Sequence, residues 1–256
     1  MRAPDGGSAN GTYGSAVDAV LAASERGVPL RLIGGQAVRY LTPDYPPRVR
    51  GDQDMDFASV SSAKKPVMEF LGELGFQGDP RFNTLHGDRQ MYFVTPDGLT
   101  SVDVVMDKLN MCHVLEFKDR IERMPVTIDV TDLLLTKLQV VEQNEKDVHD
   151  ILYLLSGFEV REGDEPGTIG LERFGKVVAD DWGWWRTATG SLESAIRHVE
   201  GDLAGLVPSA ASFDSVAQAR ALREHADTVP KSLRWKIRSR VGERVQWYEL
   251  PEEVGH

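Results

Sequence analysis

Asp54 and Asp56 flank Met55, and eighteen residues separate them from the Gly34-Gly35 pair. In an extended strand, residues i and i+2 point to one face. Asp54 and Asp56 therefore project together, while Met55 and Phe57 turn to a core. Adjacent carboxylates repel, so a strand has little reason to carry them without a cation between them. Mg²⁺ supplies that reason, since it takes carboxylate oxygens together with the oxygens of a substrate phosphate. A Gly-Gly turn leading into a helix exposes backbone N–H groups at the positive end of the helix, where anions bind. Metal carboxylates and a phosphate cradle in one stretch point to nucleotide chemistry.

The elements that must position these groups follow from the same residues. Pro29 to Ile33 predicts a strand, Gln36 to Leu41 a short helix, and Asp54 opens the next strand. The loop 42–53 is rich in Pro and Arg (Pro43, Pro46, Pro47, Arg48, Arg50). It could bring Arg48 and Arg50 to the phosphates, or be a solvated connection. Upstream, Ser15 to Arg26 has helical apolar spacing and stops at Gly27, while residues 1–14 read as a loose Gly/Ser/Asn-rich tail. Downstream, Lys65 to Phe76 predicts a helix with the stripe Val67, Phe70, Leu71 and Leu74. Strand signals follow at Phe82 to His86 and Gln90 to Thr95, with Gly87-Asp88-Arg89 as a hairpin between them. Pro96-Asp97-Gly98 turns the chain into Ser101-Val102-Asp103-Val104-Val105, a strand-like run in which Asp103 offers a third carboxylate. His86 could touch substrate or be a surface histidine.

A strand, Gly-Gly, a helix, then Asp-x-Asp on the next strand resembles the nucleotidyltransferase (polymerase beta-like) superfamily, and the spacing from Gly35 to Asp54 is similar to its AbiEii-type toxin branch. That resemblance implies Mg²⁺ or Mn²⁺, two ions, held by Asp54, Asp56 and Asp103. It also implies a nucleoside triphosphate such as ATP on Gly34 and Gly35, and an Arg shortly before the Asp pair, matched by Arg50. The branch usually has Ser or Thr two residues before the first Asp. This chain has Asp52, which could compete as a ligand.

After Thr131, which reads as an N-cap, the pattern becomes helical: Asp132 to Gln143, then Lys146 to Phe158. Lys137 stands beside the first apolar stripe, and Asp147 and Asp150 lie at i and i+3 along the second. A solvated face would account for these charges. The segment is also similar to the AbiEii-type pattern of Lys-Leu on one helix and Asp-x-x-Asp on the next. By that resemblance Lys137 binds the triphosphate, and Asp147 or Asp150 assists catalysis or orients the lysine. The likeness covers roughly residues 28 to 157. It implies transfer of a nucleotide to an acceptor hydroxyl. The acceptor would be the 3′ end of tRNA, with the protein a toxin neutralised by a separately encoded antitoxin. A small hydroxylated molecule or a protein side chain is the alternative acceptor. A nucleotide-binding module without catalysis is the alternative outside the enzyme class.

The 256 residues allow a sizeable core. Val126 to Val130 is the last strand-like run. The fold class expected is α+β: a catalytic domain over 15–130 with a mixed sheet and flanking helices, then an all-helical domain over 131–256. Helices are expected at 170–180, 184–204, 214–227 and 230–242, and Arg161 to Thr168 reads as a linker. No apolar stretch reaches the roughly 18 residues of a membrane span, and no secretory signal opens the chain. The single Cys112 fits a reducing cytoplasm and a structural rather than metal-binding thiol. The net charge of −11 argues against broad electrostatic binding of nucleic acid. Two local features stand out against it. Trp182, Trp184 and Trp185 could stack on bases or pack a helix. Lys231 to Arg244 holds six basic residues with only Glu243 as counter-charge, a candidate nucleic-acid face or a solvated helix.

Overall fold

The structure, a computed structural model, describes residues 8–45, 54–201 and 211–250. The fold is α+β, and the chain divides into two compact units. The first comprises residues 1–40, 47–109 and 116–129, and the second residues 41–46, 110–115 and 130–256.

In the first unit, helix α1 (Ser8–Glu25) begins seven residues before the apolar spacing starts it. Ala16, Ala19, Val20 and Ala23 form its buried stripe. Five strands make one sheet: β1 (Arg31–Leu32), β2 (Met55–Ser59), β3 (Gln77–Gly78), β4 (Gln90–Val94) and β5 (Ser101–Met106), in the order β1-β2-β5-β4-β3. The pair β2–β5 is parallel, and every other pair is antiparallel. Burial alternates along β5, where Val102, Val104 and Met106 are buried, and at the start of β2, where Met55 and Phe57 are, before Ala58 and Ser59 are buried as well. Register follows from that, because a slip of one residue would turn the alternating apolar side chains out and bring the carboxylates in.

Helix α2 (Gly34–Leu41) follows β1, and α3 (Lys64–Glu73) follows β2. Val67, Phe70 and Leu71 of α3 are buried, whereas Leu74, just past its end, is exposed. The segment expected as a strand at 82–86 is instead helix α4 (Pro80–His86). Asp79 caps it, accepting from the Phe82 amide at 2.7 Å, and Pro80 takes the first helical position. Local capping thus overrides the β-like look of Phe82-Asn83-Thr84. The hairpin that delivers Asp103 is β4–β5, closed through Thr95 and Thr100. The strand expected at 126–130 is reduced to one parallel bridge, Leu32 to Thr127, before the chain turns helical at Val130. Asp129 is fully buried between Arg120 (3.5 Å) and Arg123 (3.2 Å), a structural ion cluster.

Short strands β6 (Lys108–Asn110) and β7 (Val114–Glu116) follow β5. The second unit is built from helices α5 (Val130–Leu138), α6 (Glu145–Gly157), α7 (Leu171–Asp180), α8 (Trp182–Glu200), α9 (Ser215–Thr228) and α10 (Leu233–Ser239). Between α6 and α7 lie β8 (Val160–Arg161) and β9 (Ile169–Gly170), a two-residue parallel pair that the sequence pattern does not signal. Thr131 does not cap α5, which starts one residue earlier. Its hydroxyl donates to Thr168 O (3.0 Å) and accepts from Gly170 N (2.9 Å), pinning β9. Asp132, fully buried, takes Arg173 at 2.7 Å and ties α5 to α7.

Candidate active site

The first unit brings a glycine turn together with two aspartates on neighbouring strands and a third just ahead of one of them. Gly34 has φ +66°, a left-handed conformation that turns the chain from β1 directly into α2. A Cβ built there would lie 2.5 Å from Asp56 Oδ2, so the Asp56 carboxylate stands hard against the start of the helix. The first-turn N–H groups of α2 have no intrahelical acceptor and carry the positive end of its dipole.

Asp56 and Asp103 are register partners across the parallel pair β2–β5. Both side chains are half-buried and leave the same face of the sheet, opposite to the buried Phe57 and Val104. Asp54 is exposed, one residue ahead of β2, and its Oδ1 accepts from Ser101 Oγ at 2.5 Å. Asp103 Oδ1 accepts from Gln90 Nε2 at 2.6 Å, a diagonal contact across β4–β5. Among the described residues no three or more His, Cys, Asp or Glu side chains come together as a group that could hold a metal ion. The donor set nevertheless fits Mg²⁺. It consists of hard carboxylate oxygens on one face, two of them on register-matched residues, with the Asp56 carboxylate seated where a Cβ at Gly34 would clash. Arg48, Arg50 and Asp52 lie outside the described residues.

Sequence reasoning missed the polar side chains that hold these aspartates: Gln90 and Ser101 at the carboxylates of Asp103 and Asp54, and Gln36 at the Asp54 main-chain carbonyl. Parity was the available signal for Gln90, which shares a sheet face with Asp103 once the hairpin register is set. Gln36 and Ser101 carried none.

The second unit pairs Lys137 Nζ with Asp150 Oδ2 at 2.8 Å, with both side chains largely withdrawn from solvent. Of the two aspartates expected beside the lysine, Asp150 is therefore its partner. Asp147 is engaged in a capping box with Asn144: its Oδ2 accepts from Asn144 N, and its amide donates to Asn144 Oδ1, both at 3.2 Å. Tyr45 meets Tyr153 edge-on at 5.1 Å, with His149 beside Tyr153 at 6.2 Å.

The Trp-rich stretch packs. Trp182 and Trp184 are buried, and the Trp184 indole N–H donates to Val114 O at 3.0 Å. Trp185 donates to Asp227 at 3.1 Å and Trp247 to Thr187 at 3.1 Å. His113 lies against Trp184 at 5.1 Å with its Nε2 2.8 Å from Thr187 Oγ1. Burial lowers its pKa from 6.5 to about 4, only partly opposed by the charge of Asp181. Much of the basic run from 231 to 244 is also engaged internally. Arg238 stacks on Trp182 at 4.8 Å and donates to Gly242 O and Val245 O, Lys231 donates to Val229 O, and Arg234 pairs with Asp181. Lys236, Arg240 and Arg244 are exposed and make no ion pair among the described residues. His86 lies exposed in the last turn of α4 against Phe82, and Cys112 is buried and unpaired.

No family model matches the chain, and no curated protein matches it. Among solved structures, JHP933 from Helicobacter pylori is similar at 13% identity and a TM-score of 0.35, covering 91% of this chain and 95% of its own. A proposed nucleotidyltransferase from H. pylori is similar at 12% identity and a TM-score of 0.35, covering 89% and 95%. Overlap at this level decides neither fold nor activity, which rest on the chain's own residues.

Proposed function

We propose that the chain transfers a nucleoside monophosphate from a nucleoside triphosphate to an acceptor hydroxyl. One observation carries this reading: Asp56 and Asp103 stand level on adjacent parallel strands, with the side-chain-free Gly34 and the start of α2 against the Asp56 carboxylate. Asp54, Asp56 and Asp103 are the oxygen donors that would hold Mg²⁺, Asp103 on the acceptor side. When bound, Mg²⁺ supplies Lewis-acid stabilisation of the phosphoryl oxygens and of the attacking and leaving oxygens.

The remaining work belongs to the protein. Gly34, without a side chain, lets the Asp56 carboxylate lie against the start of α2, and the first-turn amides of α2 would donate to phosphate oxygens. Gln90 and Ser101 hold Asp103 and Asp54 in place, so the charge is fixed before substrate arrives. The acceptor oxygen forms a bond to the α-phosphorus, the bond to the bridging oxygen breaks, pyrophosphate leaves, and the hydroxyl proton passes to solvent. Catalysis of this kind is positioning and charge neutralisation. In the second unit the family likeness assigns Lys137 to the departing phosphates, with Asp150 fixing its Nζ. Asp147 and Arg50 are assigned lesser supporting roles on the same ground.

The acceptor, carried from the resemblance, is the 3′ end of tRNA, which would make the protein a toxin restrained by an antitoxin. Exposed Lys236, Arg240 and Arg244 suit an RNA backbone. The test is transfer of label from each α-labelled nucleoside triphosphate, with Mg²⁺, to total tRNA, using Asp56→Ala as control. Label on tRNA that disappears in the variant supports the whole reading. Label on small hydroxylated compounds or on protein changes the acceptor only. Nucleotide binding without pyrophosphate release under any condition would sink transfer and leave a binding module.

A further inference from the structure

Gln36 sits in the first turn of α2, is 2% exposed, and spends only half of its amide: Nε2 donates to the Asp54 carbonyl at 2.8 Å, while Oε1 has no hydrogen-bond partner among the described residues. A buried glutamine with one end unpaired is a poor choice for stability, since an aliphatic side chain would fill the volume without stranding an acceptor. Its use lies in where the donated bond falls. The antiparallel ladder between β1 and β2 ends at Ile33 N→Asp56 O (3.0 Å), because Gly34 then turns the chain into α2. Carbonyls two apart in a strand point the same way, so the Asp54 carbonyl is the next acceptor along that edge, past the last donor that β1 supplies. The Gln36 amide takes that place.

We propose that Gln36 is a positioning residue for Asp54: its side chain continues the β1–β2 ladder by one rung and so sets the backbone from which the Asp54 carboxylate projects. Ser101 Oγ holds the same residue at its carboxylate, 2.5 Å away. Asp54 is thus fixed at its main chain and its side chain, although it lies outside the strand. The inference rests on the reading of Asp54 as a metal-holding carboxylate. Groups that orient ligands typically change metal affinity or activity 10- to 100-fold when removed.

The experiment measures Mn²⁺ affinity of the full chain by paramagnetic resonance of the free ion, with amide exchange at Met55 and thermal midpoint recorded alongside. Gln36→Glu keeps the shape and loses the donor, and Gln36→Met keeps the packing alone. Both should weaken Mn²⁺ about 10-fold or more and speed Met55 exchange. Adding either to Asp54→Asn should cost nothing further in Mn²⁺ affinity, because Gln36 acts through Asp54. Unchanged affinity and exchange in both variants, or additive losses with Asp54→Asn, would overturn the inference while leaving the metal reading intact. A wild-type chain that binds no Mn²⁺ would sink the metal reading instead, and Met55 exchange then decides on its own whether Gln36 positions Asp54.

Discussion

Two clusters of polar side chains in this molecule are built alike and used differently. Around Trp184, Trp185, Trp247 and His113 in the second unit, the indole hydrogens end on internal acceptors, a carbonyl, a carboxylate and a hydroxyl, and His113 Nε2 pairs with Thr187 Oγ1. Around Asp54, Asp56 and Asp103 in the first unit, the neutral groups Ser101 and Gln90 anchor two of the carboxylates without bringing a countercharge of their own, and the nearest backbone has shed its side chain at Gly34. Internal hydrogen bonding beside apolar rings is what a core needs. Concentrated negative charge with fixed geometry gives stability nothing by itself, and is what a cationic ligand needs.

The widest separation between the clusters should come from Asp56→Ala and Asp103→Ala. Metal carboxylates contribute several kcal/mol to transition-state charge stabilisation, so transfer should fall by about 10³-fold or more, with the melting temperature unchanged or slightly raised. A large loss of stability instead would place these aspartates with His113 as structural groups. Gly34→Ala should damage both properties. It forces a side chain into a left-handed backbone, at about 1–3 kcal/mol, and puts a methyl against Asp56 Oδ2. Paired melting and nucleotide-binding measurements would show it.

The second cluster should answer to acid. His113 has its folded pKa lowered to about 4 from 6.5. The unfolded chain therefore binds the extra proton first, and stability falls as pH drops from about 6.5 toward 4, by up to roughly 3 kcal/mol. Denaturant titrations across that range should lose most of this slope in His113→Gln, whatever that variant's stability at neutral pH. An unchanged slope would mean that another group governs acid sensitivity. The smallest effect is expected at the exposed cations. Replacing Lys236, Arg240 and Arg244 with Ser should move stability by no more than about 0.5 kcal/mol. It should reduce the salt slope of RNA binding by about 1 for each phosphate left without its cation.

What could be read from the sequence was what periodicity and parity encode. The alternation Met55-Asp56-Phe57 and Val102-Asp103-Val104 is visible in one dimension, and the fold places both aspartates on one face. The helices after residue 130 declare themselves by apolar spacing, whereas the one cap read there, Thr131, is not a cap, and the caps found are Asn144, Asp214 and Ser232. Residues 82–86 mislead because their β-rich composition competes with the Asp79-Pro80 start signal, and the cap wins. Gln36, Ser101 and the Asp129–Arg120–Arg123 cluster are illegible for another reason. Their partners are set by where the backbone turns in space, and nothing in residue type announces a side chain standing in for a missing strand. The Trp cluster lies between these cases, since stacking on bases and packing in a core require the same residues.

The parallel pairing of β2 with β5 has a consequence for assembly of the chain. Asp56 and Asp103 meet only after the polypeptide has travelled out through α3, β3 and α4 and returned along β4. Such a contact closes a long loop and is entropically slow. During synthesis the first two aspartates emerge well before their companion, and β2 lacks its inner neighbour until β5 is complete. The half-made sheet is thus a strand edge bearing clustered negative charge, which resists pairing with another copy of itself. The residues that await a metal in the finished protein would guard the unfinished one against aggregation.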